Sequence, residues 1–337
     1  MTKSHLILIC CCSYIMGMSF SPALLSMSTF ALAATALISI DPPPGRRISW
    51  DVEAIRRLLR PWQEPALAVI GVLFLIVLLS GLQGGDMTYW LTRLRVKIPL
   101  LVLPLMFIMF PHIRERKLHA IYYFLILWMS VLSIGVGLHY LWHAEAINTL
   151  MKQGQPMPTP GNHIRFSMML AYGVVCGAYL YWKKWYWKFH WERKLLLALS
   201  IFLFLFMHLL SVRSGLLVIY SCGLVMGGIY AFVSRRYWIA ACIILGIVMT
   251  PLLAYYLIPS FKAKVEYMSY DSWMRRHEMG ALYADSGRIV SVEVGYEIFR
   301  RHPVFGVGVG HIRNEVNRIF AEKHADLPHP LMPHNQF

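Results

Sequence analysis

Residues 195–233 read LLLALSIFLFLFMHLLSVRSGLLVIYSCGLVMGGIYAFV. The stretch is two apolar runs, 195–211 and 215–233, each long enough as a helix to cross about 30 Å of hydrocarbon. Arg213 sits at the centre of the turn between them. Neither run has an Asp, Glu, Lys or Arg in its interior, and so short a turn reads as an antiparallel pair of membrane-spanning helices. Working outward, similar runs recur near 5–20, 22–40, 66–82, 98–111, 119–141, 166–182 and 237–257, so about nine transmembrane helices are expected. Composition agrees, with 57% hydrophobic residues, 15% charged residues and a mean hydropathy of +0.52, a balance foreign to soluble domains. Lys3 ahead of the first run resembles a signal peptide, but a second apolar run follows almost at once, and a retained helical hairpin is expected instead. The fold class expected is all-α, a polytopic integral membrane helical bundle over 1–257 followed by a large outer segment with amphipathic helices over 258–337.

Orientation follows from Lys and Arg, which cytoplasmic loops retain during insertion. With the N terminus inside, sixteen fall in cytoplasmic segments and six in short outer loops: Arg93, Arg95, Lys97, Lys152, Arg165 and Arg213. The remaining ten lie in 258–337, a segment too long for the rule to weigh, which nine crossings put outside. The net charge of +15 is therefore in part a retention signal and no footprint for nucleic acid. Cys10, Cys11, Cys12, Cys176, Cys222 and Cys242 all lie in apolar runs and read as small hydrophobes without zinc spacing. The Cys10–Cys12 run hints at lipid attachment, but Ile9 is bulky where a processing site requires a small residue.

Function is sought where polar groups sit against the membrane at a cost. Apolar runs without interior charge argue against an ion-coupled transporter, and no inverted repeat of broken helices is seen. His208 is the exception, read as a hydrogen-bonded packing residue. Arg213, in Ser211-Val212-Arg213-Ser214-Gly215, runs against the positive-inside bias. It reads either as a snorkelling cation or as a guanidinium at headgroup depth that pairs bidentately with phosphate. Arg288 is expected to open a helix capped by Ser286 and ended by Pro303, with Ile289, Val292, Tyr296 and Phe299 on one face. Arginine in a first turn opposes the helix dipole unless an anion sits there. Gly306, Gly308 and Gly310 lack the surroundings of a dinucleotide loop and read as a tight reversal, followed by a helix with Ile312, Val316, Ile319 and Phe320 inward. His324, His329 and His334 recur in steps of five, which fits no zinc pattern, so no metal is expected. A histidine beside two membrane-surface arginines suits general base work.

In this order, the Ser-x-Arg-Ser-Gly turn at Arg213, Gly287-Arg288, the run from Arg301-His302-Pro303 through Gly306, Gly308 and Gly310, and His334-Asn335 carry a resemblance. The chain resembles the O-antigen ligase and O-antigen polymerase family of bacterial membrane glycosyltransferases, whose members place a long outer loop late in a many-helix, GT-C-like bundle. The resemblance implies glycan transfer from undecaprenyl diphosphate to a hydroxyl acceptor at the periplasmic face of the bacterial inner membrane, without metal or other cofactor. Ligases of the family use lipid A-core as acceptor, and polymerases another carrier-linked repeat. By the same resemblance Arg213 and Arg288 would bind the diphosphate, His334 would deprotonate or orient the acceptor, Asn335 would contact substrate, and Arg165 would add a phosphate contact.

The residue chemistry agrees with this assignment. A diphosphate leaving group gains charge that fixed guanidinium groups stabilise, and no clear acidic cluster on the outer face offers to hold magnesium. Direct attack by the hydroxyl would invert the anomeric centre, and the surrounding membrane lipids and apolar helices would accommodate the carrier's tail. One rival is a lipid-linked glycan transporter or flippase, which needs a charged central cavity. A second is a non-catalytic assembly partner, which would tolerate loss of Arg213, Arg288 and His334. Ligase and polymerase share donor chemistry and stay unseparated. Members continue past the His-Asn pair into further membrane helices, so the chain is expected to be a piece of a longer protein.

Overall fold

A computed structural model describes residues 2–40, 48–60, 64–111, 113–276, 284–324 and 330. In chain order the elements are α1 (Lys3–Phe20), α2 (Pro22–Leu37), β1 (Ile38–Ile40), β2 (Ile48–Trp50), α3 (Val52–Leu58), α4 (Pro65–Leu79), α5 (Met87–Lys97) and α6 (Pro99–Met109). There follow α7 (Glu115–Trp142), α8 (Ala144–Lys152), α9 (His163–Trp182), α10 (Trp191–Leu210), α11 (Arg213–Val233), α12 (Tyr237–Leu257), α13 (Pro259–Arg276), α14 (Ala284–Arg301) and α15 (Ile312–Lys323). They form two compact units, one of 1–32 and 112–267, the other of 33–111 and 268–337.

Among the described residues seven helical stretches are long and apolar enough to cross a membrane: Lys3–Phe20, Pro65–Gln83, Glu115–Trp142, His163–Trp182, Trp191–Leu210, Arg213–Val233 and Tyr237–Leu257. Two of the nine expected runs fall short. The run at 22–40 is helical only over α2, about 24 Å at 1.5 Å per residue, before Ile38–Ile40 turns into a strand. That strand pairs antiparallel with β2 in the register Ile38↔Trp50, Ser39↔Ser49, Ile40↔Ile48. The run at 98–111 yields the 11-residue α6, about 16 Å long. Pro99 opens it, and Pro104 inside it removes a backbone donor. Arg93, Arg95 and Lys97, expected in an outer loop, lie on α5, whose N terminus is capped by Asp86 accepting from the Tyr89 amide at 2.9 Å.

In the first unit α7, α9 and α10 form the centre. Their core joins Ile126 and Met129 of α7 to Phe166, Leu170 and Leu180 of α9 and to Leu196, Leu203 and Met207 of α10. Small residues set the spacing: a Cβ on Gly177 of α9 would strike Ser200 of α10, and one on Gly173 would meet Leu203 at 3.3 Å, the close approach that membrane helices use. The later α11 and α12 bury few side chains, with Leu217 70% and Leu245 61% exposed, as suits surfaces solvated by lipid. In the second unit α4 packs on α6 and α6 on α3, while α14 packs on α15.

Candidate functional site

The turn around Arg213 is built from both sides. α10 ends where Ser211 takes a left-handed conformation, φ 56, its Oγ donating to the His208 carbonyl at 2.9 Å. Val212 follows, and α11 starts at Arg213. Two residues on, Gly215 meets α9: a Cβ there would lie 2.7 Å from the Ser167 carbonyl oxygen. Beside this contact the Ser167 and Ser214 hydroxyls are 3.3 Å apart. α9 is capped by Asn162, whose Oδ1 accepts from the amides of Ile164 at 2.9 Å and Arg165 at 3.2 Å, and the Arg165 Nη1 reaches the Met18 carbonyl at 3.5 Å. Arg165 and Arg213 thus stand in the first turns of neighbouring helices, both exposed, on either side of one serine–serine contact. Two helix N termini and two guanidinium groups at one end of a unit favour an anion.

His208 lies one turn into α10 from this end. Its Nδ1 faces the Phe204 carbonyl at 2.9 Å and so carries the proton, which leaves Nε2 to accept from the Tyr220 hydroxyl at 2.5 Å. Its ring also packs on Phe204 and Phe261. Nδ1 is satisfied within α10 and Nε2 ties α10 to α11, so His208 is the hydrogen-bonded packing residue that the sequence reading held.

Arg288 belongs to the second unit. α14 already includes Ala284, so Ser286 stands within the helix and Arg288 is a full turn in, not in the first turn as expected. The dipole argument for an anion there loses its footing. Val290, Val294 and Ile298 turn inward against Val316, Ile319 and Phe320 of α15, so the expected apolar face of Ile289, Val292, Tyr296 and Phe299 is the exposed one. The two helices are also joined by charge. Buried Glu297 accepts from Arg301 Nε at 3.0 Å and from Lys323 Nζ at 3.0 Å, and Arg301 reaches Glu322 at 2.9 Å. Those donors hold the Glu297 carboxyl down at about 2.

The glycine-rich reversal between α14 and α15 has a partner that sequence reading missed, the segment Gln83-Gly84-Gly85-Asp86. The Asp86 amide donates to the Gly310 carbonyl at 3.0 Å, Gln83 Nε2 donates to the Phe305 carbonyl at 2.8 Å, and His311 Nε2 pairs with the Gln83 carbonyl at 3.3 Å. A Cβ on Gly310 would run into the Gly84 carbonyl oxygen, and one on Gly85, at φ 95, would lie 2.6 Å from the Gly310 carbonyl carbon. The doubled glycine at 84–85 was the available signal, since its positive φ values are strained for other residues. Nearby, the guanidinium groups of Arg313 and Arg93 stack on one ring, 4.2 and 4.7 Å from the Tyr89 centroid.

The structure therefore puts Arg165 and Arg213 in the first turns of two neighbouring helices of the first unit and Arg288 in the other unit. His334 and Asn335 lie outside the described residues. Residues 196–337 match the family model described as O-antigen ligase. The match covers 142 of the 337 residues. No curated protein and no solved structure matches the chain. The O-antigen ligase stretch begins within α10 and holds Arg213, Arg288, His334 and Asn335, whereas Arg165 precedes it on α9. The family comprises membrane enzymes of the O-antigen ligase and polymerase type, and the helices long enough to span make this a multi-pass chain.

Proposed function

We propose that the protein transfers a glycan from undecaprenyl diphosphate to a hydroxyl acceptor such as lipid A-core, working at the periplasmic face of a bacterial inner membrane. The observation that carries this reading is that Arg165 and Arg213 stand in the first turns of two helices joined by the Ser167–Ser214 contact, Arg213 within the stretch that matches the O-antigen ligase model. Among the described residues the candidate spans number seven, odd like the expected nine, and on this reading the segment beyond 257 stays opposite the N terminus. The acceptor oxygen attacks the anomeric carbon while the bond to the diphosphate oxygen breaks, the electron pair leaving with the diphosphate. Arg213, Arg165 and Arg288 take up the charge developing there, and His334 removes the acceptor proton, with Asn335 holding the acceptor. Attack from the opposite face inverts the anomeric centre, and retained stereochemistry in the product would refute the direct displacement. With guanidinium groups in the role of a divalent cation, transfer is expected to persist in EDTA.

The test is complementation of a ligase-deficient bacterium, scored by lipopolysaccharide ladders at matched membrane abundance. Arg213→Ala, Arg288→Ala and His334→Ala are each expected to reduce transfer about 100-fold or more, the order found when one transition-state donor is removed. Ladders that survive all three substitutions refute the site. Failure of a well-expressed parent to restore ladders favours polymerisation of carrier-linked repeats instead.

A further inference from the structure

At the other end of the first unit, a crevice of about 520 Å³ lies between the start of α7 and the loop after α9. α9 runs about 30 Å at 1.5 Å per residue, so this crevice is remote from Arg165 and plays no part in the proposed transfer. Arg116, His119 and Lys183 line it together with the aromatic segment Trp185–Trp187. The loop is pinned by Glu192, 5% exposed, whose carboxylate accepts from the amides of Trp187 at 2.6 Å and Phe189 at 3.1 Å. Arg116 lies 5.5 Å from the centroid of Trp187. His119, 6% exposed, has its ring 5.7 Å from Tyr179 and 5.9 Å from Trp185.

Three features of this crevice call for an anion. His119 makes no hydrogen bond among the described residues, and its ring lines the opening, so its nitrogens are open to a ligand. Arg116 and Lys183 flank it. The lining holds one carboxylate, Glu115, against the two cations. Tryptophan and tyrosine at a helix end, on the side rich in Lys and Arg, are what the membrane–water interface selects. We propose that this crevice binds the phosphate of an anionic lipid headgroup. Arg116 and Lys183 pair with the phosphate oxygens, His119 donates a hydrogen bond, and Trp185 and Trp187 lie along the glycerol region. Basic pockets between membrane helices are suited to such headgroups.

Native mass spectrometry of the full chain tests this with three probes: phosphatidylglycerol, phosphatidylcholine and inorganic phosphate. The parent is expected to retain one phosphatidylglycerol in preference to phosphatidylcholine. The Arg116→Gln/Lys183→Gln pair is expected to weaken retention tenfold or more, and His119→Phe severalfold, since phenylalanine keeps the ring contacts and lacks the donor. Arg235→Gln/Arg236→Gln, at a basic turn outside the crevice, keeps parental retention, and unchanged thermal midpoints exclude unfolding. Equal retention of both lipids, equal retention by parent and crevice variants, or equal loss in the Arg235/Arg236 control overturns the proposal. Displacement of the lipid by millimolar inorganic phosphate, absent in the crevice variants, supports the phosphate site with the free ion as its source.

Discussion

Arg213 and Gly215 stand two residues apart and differ in what can replace them. In the proposed transfer Arg213 acts through a planar, bidentate guanidinium, so Arg213→Lys keeps the charge but not the fork and is expected to retain part of the transfer that Arg213→Ala loses. Gly215 acts through what it lacks. A valine there must push α11 away from the Ser167 backbone, separating Arg213 from Arg165, and Gly215→Val is expected to abolish ladders and to lower the thermal midpoint measured in detergent. Arg213 stands out in the sequence as a lone cation in a short turn between two apolar runs, and the structure puts it in the first turn of α11. The demand on Gly215 was not legible there, because it is made by a residue on another helix. His208 was legible as a packing residue because a lone histidine in an apolar run needs partners, and it found them in Phe204 and Tyr220.

At the scale of elements, α15 was read correctly because its apolar residues form one stripe. α14 carries two such stripes, and periodicity cannot choose between Val290-Val294-Ile298 and Val292-Tyr296-Phe299. The buried choice is made by α15 and by Glu297, which must face Lys323 and Arg301 together. That carboxyl is held at about 2 against an ordinary 4.5. Its depressed folded value means the stabilisation is complete above about 4.5 and is lost as the pH falls towards about 2. Glu297→Gln is therefore expected to lower the thermal midpoint at pH 7, and the gap between variant and parent should close over that acid window; a gap that stays constant to pH 2 would show that the carboxylate charge is not responsible. The spans misjudged in sequence, 22–40 and 98–111, were misjudged for local reasons. Alternating β-branched residues end α2, and prolines interrupt α6.

For the whole molecule, the sequence revealed a helical membrane protein but not how its chain is apportioned, since apolar runs carry no label for the unit they join. Within the first unit α9 is expected to span, so single-cysteine reporters at Gln153 and Lys184 should be modified by impermeant reagents from opposite sides of the membrane. Modification of both from the same side would sink that topology. The second unit has a further property: its early part, 33–111, closes on its late part through Gly84, Gly85 and Gly310, and the whole first-unit segment 112–267 is made in between. At synthesis rates of about 5–20 residues per second, the ribosome needs roughly 11–45 s to extend the chain from Asp86 to Gly310. Over that interval the Asp86 amide lacks the Gly310 carbonyl that it pairs with in the finished fold. The newborn chain is thus committed to a waiting period that a guardian at the translocon would have to cover.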